Sequence, residues 1–490
     1  QDGQKIIIEK NMSNKKIVFY FPQKEAEDLF KNNKNIFIFN SMGFKKIGSS
    51  KFIDFNYDFS ILKQIKNINL IDVKKEINSW ETAWSRFVDK GDQFELNSSE
   101  VLDNIIKIIS FLIKNKIKKV FMFTASSHNI TSLTFELACK LLKLKMIYFY
   151  STNNIIYDNH NLLIPVQQTN GFISRKFINK KFSDFKFNKI IKYKSEKLSK
   201  EINNEKNKFK EKNLKIFSSS FLLSFAKIFI YYFYSDILRI KNNFFSKVKN
   251  YNDLMNYSFY THLRQVIQQF RSIKFYKKNT SNILSKKKNI VIMAHSQPEA
   301  DSYILGQEYH NHSDIIFKLR QLGYSKEIYY KEHPSTSNYY IDFIHHTRIG
   351  CQRSIKYYKI LKDQNCKFLN QNIFSINQKF FKNSLMLTIS GSIAIERSLL
   401  GLKTIYTGYP WWKGMPGTIH INEIKSLNKL PDKYFNKSNT IKKDAKKFIC
   451  SKLNYNTIPN YPGMNGYKKR LDKNSRILFK QNINKLIKLN

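Results

Sequence analysis

Short apolar runs alternate with helical patterns along this chain, and this alternation limits the folds open to it more than any other feature. In the first part of the chain, four runs have the length and apolar content of buried strands, at 16–21, 35–39, 118–123 and 145–150. The stretch 133–142, between the last two strands, has a helical pattern. Strand, crossover helix and strand at this spacing predict a parallel α/β sheet, because parallel strands need a long connection.

The alternation returns after residue 289 and predicts a second sheet of the same kind. Strands are predicted at 289–295, 327–333, 385–390 and 403–408, with helices at 313–322 and 393–400. With 490 residues, the chain is long enough for two or three domains. We therefore predict an α/β protein with two doubly wound, Rossmann-like domains, 1–190 and 286–440, joined by a helical bridge, 191–285, and followed by a helical tail, 441–490.

The chain is strongly basic, with 84 Lys and Arg against 37 Asp and Glu and a net charge of +47. Such a charge is typical of proteins that bind nucleic acid or an anionic membrane. A compositional bias explains it better, because the lysines are spread along the whole chain and accompany many Asn, Ile, Phe and Tyr residues. We expect attraction to an anionic membrane surface as a consequence, and no specific nucleic-acid partner, because no RNA- or DNA-binding motif is present.

The stretch 221–240 is strongly apolar but contains Lys227, Asp236 and Arg239. A membrane-spanning helix needs about 20 nearly uncharged residues, so a buried or interfacial helix is the better prediction. The predicted bridge would then face the membrane. The four cysteines are far apart and form no CxxC pair, which suits a reducing cytosol. We expect a cytoplasmic protein, peripheral on the inner face of the cytoplasmic membrane.

Polar residues follow three of the predicted strands in the second half. Because ligands bind outside the carboxyl ends of the strands in an open parallel sheet, these residues are predicted to meet in one crevice. The candidate residues are Gln297, Pro298 and Glu299 after the strand 289–295, Lys331, His333 and Pro334 at the strand 327–333, Ser390, Gly391 and Ser392 at the end of the strand 385–390, and Glu396 in the next helix.

The serine loop, 390–392, would present small side chains and free backbone N–H groups to a phosphate at a helix N-terminus, although Ser392 could also be a plain helix cap. Glu396 could bind ribose hydroxyls or be a solvated carboxylate. His333 could donate a hydrogen bond to a departing phosphate or be a turn histidine. Lys331 could add positive charge there or be one of many lysines.

Three segments together resemble the bacterial capsule polysaccharide synthesis family. They are AHSQPEAD at 294–301, KEHP at 331–334 and TISGSIAIERSLLGLKTIYTG at 388–408. They are most similar to the group with paired QP and HP motifs, which includes β-Kdo transferases. Gln297 and Pro298 match the QP motif, and His333 and Pro334 match the HP motif.

This resemblance implies a GT-B glycosyltransferase that uses a nucleotide-activated donor such as a CMP-linked acidic sugar, for example Kdo. It implies that His333 lies against the donor phosphate with Ser390 and Ser392, and that Glu396 binds the ribose. The acceptor would be a lipid-linked saccharide or an oligosaccharide of a capsule or other surface polysaccharide. No cofactor or metal is expected, because no pair of carboxylates resembling a DxD motif follows a strand.

The family's catalytic carboxylate in the N-terminal domain has three candidates here: Glu136, Asp158 and Glu81. Glu136 is favoured, because it follows His128 on the predicted crossover helix near a strand end. The aromatic loop 409–414 could stack on a sugar or a base, or could form a packed lid.

Two other functions remain open. The serine loop with Glu396 also resembles nucleotide-sugar 2-epimerases, which share the GT-B architecture, although the QP and HP pair favours the transferase. A nucleic-acid-binding protein is the third hypothesis, and the net charge of +47 is its only strong motivation.

Overall fold

The computed structural model describes two β-sheets, each with helices packed on both faces. The predicted fold class, α/β with two doubly wound sheets, is therefore confirmed. The described residues are 16–20, 24–40, 43–51, 53, 73–74, 98–123, 130–157, 160–168, 175–177, 271–281, 289–295, 306–333, 353–370, 382–428, 434–453, 458–460 and 473–488.

The first sheet has a parallel centre and antiparallel edges. Its order is β15-β6-β5-β4-β1-β2-β3, and β7 pairs with β6. Strands β5, β4, β1 and β2 are parallel. Antiparallel pairs join β3 to β2, β6 to β5, and both β7 and β15 to β6. The strands are β1 (Lys16–Tyr20), β2 (Ile36–Asn40), β3 (Gly43–Lys46), β4 (Ile117–Met122), β5 (Lys145–Tyr157), β6 (His160–Gln168), β7 (Arg175–Phe177) and β15 (Ile458–Asn460).

Aromatic side chains pack helices onto both faces of this sheet. The helices are α1 (Lys24–Phe30), α2 (Ser98–Lys114), α3 (Ile130–Leu141) and α8 (Lys473–Lys488). Phe19 of β1 packs with Phe30 of α1 and Phe479 of α8 in one buried cluster. The next residue along β1, Tyr20, points to the opposite face, where its ring stacks 4.8 Å from Phe135 of α3.

The second sheet is parallel throughout, with the order β14-β13-β12-β9-β10-β11-β8. Counted along the chain from β9, its six main strands have the order 3-2-1-4-5-6 that characterises Rossmann folds. The strands are β8 (Thr280–Ser281), β9 (Ile290–Met293), β10 (Ile328–Lys331), β11 (Cys366–Leu369), β12 (Leu385–Thr388), β13 (Thr404–Tyr406) and β14 (Thr418–His420).

Alternate residues of β9 send their side chains to opposite faces of the second sheet. Ile290 and Ile292 pack with α4 (His312–Gln321) and α5 (Ile355–Asp363), which lie on one face. Met293 packs near Ile393 of α6 (Ile393–Leu399) on the other face. Helix α7 (Asn439–Leu453) contacts α6.

The predicted C-terminal helical tail is divided between the two sheets. Helix α7 belongs to the second sheet, whereas β15 pairs with β6 and α8 packs on the first. The buried amine of Lys119 on β4 donates hydrogen bonds to the carbonyls of Leu486 and Ile487, at 3.1 and 2.9 Å. The tail is thus not purely helical, because one strand of it completes the edge of the first sheet.

Most of the predicted bridge, including the apolar stretch 221–240, lies outside the described residues. Residues 271–278 are helical and precede β8. In the described part of the chain, no helix has both the length and the apolar character that crossing a membrane requires. The domain boundaries and the bridge stay predictions.

Candidate functional site

The carboxyl ends of β9, β10 and β12 lie side by side, because β9 pairs with β10 on one edge and with β12 on the other. The chain passes from β9 to β10 and later returns on the opposite side of β9 as β12, so the strand order reverses between β9 and β12. In open α/β sheets, ligands bind in the crevice that such a reversal leaves at the carboxyl ends. The residues that follow these strands therefore define the candidate site.

His295, two residues after β9, connects this strand end to the serine loop. Its Nε2 lies 3.0 Å from Oγ1 of Thr388, the last residue of β12. The same nitrogen accepts a hydrogen bond from the backbone N–H of Ser390 at 3.3 Å, and the N–H of Gly391 donates to Thr388 Oγ1 at 3.1 Å. His295 and Thr388 together hold the first two N–H groups of the loop.

The expectation that the N–H groups of Ser390 and Gly391 are free for a phosphate is therefore wrong. Both donate within the protein, because the loop turns back onto the buried His295 and Thr388. What the loop offers a ligand is its side chains and the residues further along it.

His295 can accept these hydrogen bonds because its ring is neutral. Burial, together with the positive charges of His333 and Arg353, lowers the pKa of His295 to about 3. Met293 of β9 pairs with Lys331 of β10, and the Ala294 N–H donates to the Lys331 carbonyl at 2.9 Å, so the backbones of His295 and His333, two residues beyond the paired strands, are neighbours. The structure therefore brings the predicted His333 close to His295, which itself contacts the serine loop.

His333 lies two residues after β10 and is partly buried. Its backbone N–H donates to Oε1 of Glu332 at 2.8 Å. Glu332 is 1% exposed and also accepts hydrogen bonds from the phenols of Tyr330 and Tyr358, at 3.2 and 2.9 Å. Burial raises the pKa of both tyrosines, so they stay protonated and can donate.

Arg353 neutralises this buried carboxylate and reaches a second loop. Its Nη1 lies 2.6 Å from Glu332 Oε1, and its Nη2 donates to the carbonyl of His295 at 2.6 Å. Burial alone would lower the pKa of the guanidinium, but Glu332 raises it above its ordinary value. The ion pair thus connects the loop after β9 with the loop after β10.

Ser392 and Glu396 contact each other at the start of α6. The Ser392 hydroxyl donates to Glu396 Oε1 at 3.3 Å, and both residues are partly buried. The reading of Ser392 as a side-chain helix cap is wrong, because its hydroxyl makes no capping hydrogen bond. The donor-binding roles of Ser390, Gly391, Ser392 and Glu396 stay predictions.

The remaining donor-site candidates divide into two groups. Lys331 is the last residue of β10 and is buried, and its role at the donor phosphate stays a prediction. Gln297, Pro298, Glu299 and Pro334 lie outside the described residues.

Glu136 is fully buried in α3, beside Cys139, and raises the pKa of that thiol further above the level set by burial. A catalytic base must be reached by the acceptor hydroxyl, so this burial favours a structural role, and a catalytic role for Glu136 stays a prediction. The alternatives Asp158 and Glu81 lie outside the described residues.

The aromatic loop that follows β13 has one buried ring, that of Trp412, and partly buried rings beside it. Trp412 is 1% exposed and packs edge-to-face on Tyr406, with ring centroids 5.1 Å apart. Tyr409 is partly buried, lies 6.0 Å from the ring of His420 and carries Lys413 Nζ 4.9 Å from its own centroid. Burial excludes Trp412 from stacking on a ligand, whereas Tyr409 and Trp411, which are both partly buried, stay candidates.

Four residues of the site were not predicted by role: His295, Thr388, Glu332 and Arg353. The first three lie inside the segments that carry the family resemblance, so their position was a usable signal. Arg353 had no such signal, because it is one of 84 basic residues in the chain. Among the described residues, no group of three or more His, Cys, Asp or Glu side chains is arranged to hold a metal ion.

No protein-family model matches this sequence, and neither does any curated protein. The chain is similar to the solved structure of the beta Kdo 2,7 transferase KpsC of Thermosulfurimonas dismutans, at 10% identity and a TM-score of 0.29, over 74% of this chain and 88% of that one. It is also similar to the UDP-GlcNAc 2-epimerase of Methanocaldococcus jannaschii, at 11% identity and a TM-score of 0.22, over 89% of this chain and 98% of that one.

The UDP-N-acetylglucosamine 2-epimerase of Rickettsia bellii is similar too, at 14% identity and a TM-score of 0.24, over 90% of this chain and 95% of that one. At TM-scores of this size the likenesses decide neither the fold nor the chemistry. The strand order shows the fold, and the residues of the site are the basis for the function.

Proposed function

We propose that this chain is a GT-B glycosyltransferase that moves a sugar from a nucleotide-activated donor to a surface-polysaccharide acceptor. One observation carries the proposal: His295 links the end of β9 to the serine loop after β12, and His333 follows the neighbouring strand β10 in register with it, where the strand order reverses. Crevices of this kind bind nucleotides in Rossmann-like domains. The resemblance of the three segments to the QP and HP group of capsule enzymes gives the donor and acceptor classes.

His333 has the central role in this mechanism. When an acceptor hydroxyl attacks the anomeric carbon, the bond from that carbon to the donor phosphate oxygen breaks and the phosphate gains negative charge. The His333 imidazole, as donor or cation, stabilises that charge. The hydroxyls of Ser390 and Ser392 bind the same phosphate, and Glu396 binds the ribose. A carboxylate elsewhere in the chain takes the proton of the acceptor hydroxyl.

Among nucleotide-activated donors, we propose an acidic sugar linked to CMP, such as CMP-Kdo. The acceptor is a lipid-linked saccharide or an oligosaccharide, and the enzyme works on the inner face of an anionic membrane, to which the net charge of +47 attracts it. Binding to anionic liposomes that is no stronger than to neutral ones would remove the membrane part. Calorimetric titration with CMP-, UDP-, GDP- and dTDP-sugars identifies the nucleotide.

The variant His333→Ala tests the catalytic role. We expect transfer to fall by at least about a hundredfold, the usual contribution of such a group, with a nearly unchanged melting temperature. The fold should tolerate the change because the backbone N–H of His333, which any residue retains, makes the contact with Glu332. Turnover equal to that of the unmodified protein would refute the proposal.

A metal requirement is tested separately, by assaying transfer with excess chelator. We expect full activity, because His333 and the serine hydroxyls take the place of a metal at the phosphate. A loss of transfer that added Mg²⁺ restores would contradict this part.

A nucleotide-sugar 2-epimerase is the second candidate, and the contact between Ser392 and Glu396 in a serine loop of this pattern is the observation that favours it. Incubation with a nucleotide sugar and no acceptor separates the two chemistries. An epimerised nucleotide sugar would establish the epimerase, and unchanged donor that is consumed only when acceptor is added would support the transferase.

A further inference from the structure

The ion pair of Glu332 and Arg353 lies directly beneath the candidate site, and each residue is only 1% exposed. Removing two charges from water costs more than burying an apolar pair of the same size, so a buried ion pair is weak evidence for stability. Its best-supported use is to impose one geometry on the groups around it. The groups that this pair holds therefore indicate its role.

The guanidinium joins two loops with adjacent hydrogen bonds. Nη2 of Arg353 donates to the carbonyl of His295, and Nη1 bonds Oε1 of Glu332, both at 2.6 Å. The same Oε1 accepts the backbone N–H of His333 at 2.8 Å. A planar fork fixes the direction of both bonds, which a lysine amine cannot do. The backbone after β9 and the backbone after β10 therefore have a defined separation.

Three phenols hold Glu332 in place, two at its carboxylate and one at its backbone. Tyr330 and Tyr358 donate to Glu332 Oε2, and the Tyr276 hydroxyl accepts the backbone N–H of Glu332 at 3.0 Å. Tyr276 also donates to the carbonyl of Leu369, at the end of β11. Glu332 Oε1 contacts both Arg353 and the backbone N–H of His333. Because Glu332 is held on several sides, these contacts fix the backbone of His333 relative to Arg353.

We propose that Glu332 and Arg353 are positioning residues that clamp the loop after β9 to the loop after β10, so that His333 and the His295-bound serine loop face the same nucleotide phosphate. This proposal rests on the proposed function for its ligand, and on the hydrogen bonds alone for the clamp. Both residues are buried, so the proposal assigns them no contact with the nucleotide.

Arg397 provides a matched control in the same domain. It is also 1% exposed and donates to two backbone carbonyls, those of Ser384 and Lys403. These carbonyls precede β12 and β13, so Arg397 works at the amino edge of the sheet, opposite the site. A loss that reflects only domain stability should appear in variants of both arginines.

The experiment compares the double variant Glu332→Gln/Arg353→Met, the single variants Arg353→Lys and Arg397→Met, and the unmodified protein. The double variant removes both charges and so leaves no buried charge unpaired. Calorimetry measures the affinity for CMP and UDP, and hydrogen exchange measures the protection of the His333 and Ser390 amides. We expect the double variant and Arg353→Lys to bind the nucleotide at least about tenfold more weakly, because small misplacements of binding groups have effects of this size or larger.

In the same two variants the His333 amide should exchange at least about tenfold faster, since its acceptor is no longer fixed. Arg397→Met should have a lower melting temperature and nearly unchanged nucleotide affinity. Unchanged affinity and exchange in the double variant, or an equal loss of affinity in Arg397→Met, would overturn the clamp. If the unmodified protein binds neither CMP nor UDP, the CMP-linked form of the proposed function fails, and the amide exchange alone decides for or against the clamp.

Discussion

The imidazole Nε2 of His295 lies 3.0 Å from the hydroxyl Oγ1 of Thr388, although 93 residues separate them in the chain. They meet because β9 and β12 are paired, with Ile292 opposite Leu387. Each of the two also accepts one backbone N–H of the serine loop. This pair therefore forms the base of the loop at the reversal of strand order.

Replacing Thr388 with valine should destabilise the second domain. Valine has the shape of threonine without its hydroxyl, so the buried His295 Nε2 and Gly391 N–H both lose a partner. His295 Nε2 keeps the Ser390 N–H, so the Gly391 N–H is the group left unsatisfied. Such a loss costs about 1–3 kcal/mol, and we expect a decrease in that range in chemical denaturation. Thr388→Ser keeps the hydroxyl and is the control. Equal losses in the two variants would show that the methyl group, not the hydrogen bonds, matters.

Gly391 is required because a side chain at this position has no room. A Cβ there would lie 2.6 Å from Thr388 Oγ1, well inside the contact distance. We expect Gly391→Ala to cost about 1–3 kcal/mol of unfolding free energy, the usual cost of overpacking. In a Thr388→Ala background the clash is gone, so the same change should cost less. Strictly additive losses in this double-mutant cycle would contradict the steric explanation.

Buried neutral histidines should make the protein less stable in mild acid. Burial is the main cause that lowers the pKa of His295 to about 3 and that of His312 well below its ordinary value of 6.5. Between about pH 6.5 and 3, the unfolded chain binds protons at these positions and the folded protein does not. The free energy of unfolding therefore decreases as the pH falls through this window.

His312→Asn isolates one of these histidines. The variant should be less stable than the parent at pH 7.5, because the hydrogen bond between His312 Nδ1 and the Tyr357 hydroxyl is lost. Below pH 6 the difference should shrink by about 1.4 kcal/mol per pH unit, the slope for one proton. Urea unfolding from pH 7.5 to 4.5 measures it. Parallel curves for the two proteins would mean that His312 binds its proton at the same pH in the folded protein as in the unfolded chain.

The C-terminal helix α8 should depend on a single lysine of the first sheet. Lys119→Met removes the donor that caps the carbonyls of Leu486 and Ile487, and these buried acceptors lose a charged partner. We expect a loss of about 1–3 kcal/mol and faster amide exchange in 473–488. Lys118, the exposed neighbour on the same strand, gives the control variant Lys118→Met. If both variants behave alike, the capping contact does not hold the helix.

Local pattern was enough to predict eight of the fifteen strands that the structure describes, whereas β3, β6, β7, β8, β11, β14 and β15 were not predicted. Strands β1, β2, β9, β10 and β12 begin within one residue of their predicted starts, because each is a short apolar run between polar residues. Strand β5 is longer than predicted, since its second half pairs with β6 in a hairpin that continues through polar residues. The pairing partner, rather than the apolar content, extends that strand.

The candidate site was predicted in part. The polar residues after β9, β10 and β12 were identified because parallel strands end at one edge, and the structure brings His333, His295 and the serine loop together there. That the N–H groups of Ser390 and Gly391 are already occupied could not be predicted. These hydrogen bonds depend on the direction in which the His295 ring points, and burial of the ring against Thr388 sets that direction.

By itself, the sequence determined the α/β alternation, the two sheets and the loops with chemically useful residues, because these depend on periodicity and on residues that are neighbours in the chain. The tertiary structure alone decided the strand order, the joining of β15 and α8 to the first sheet and the pairing of Glu332 with Arg353. Those contacts connect residues that lie far apart in the chain or lack any distinguishing pattern. Which charged groups pair is decided by burial, because a charge that loses its water needs an opposite charge beside it.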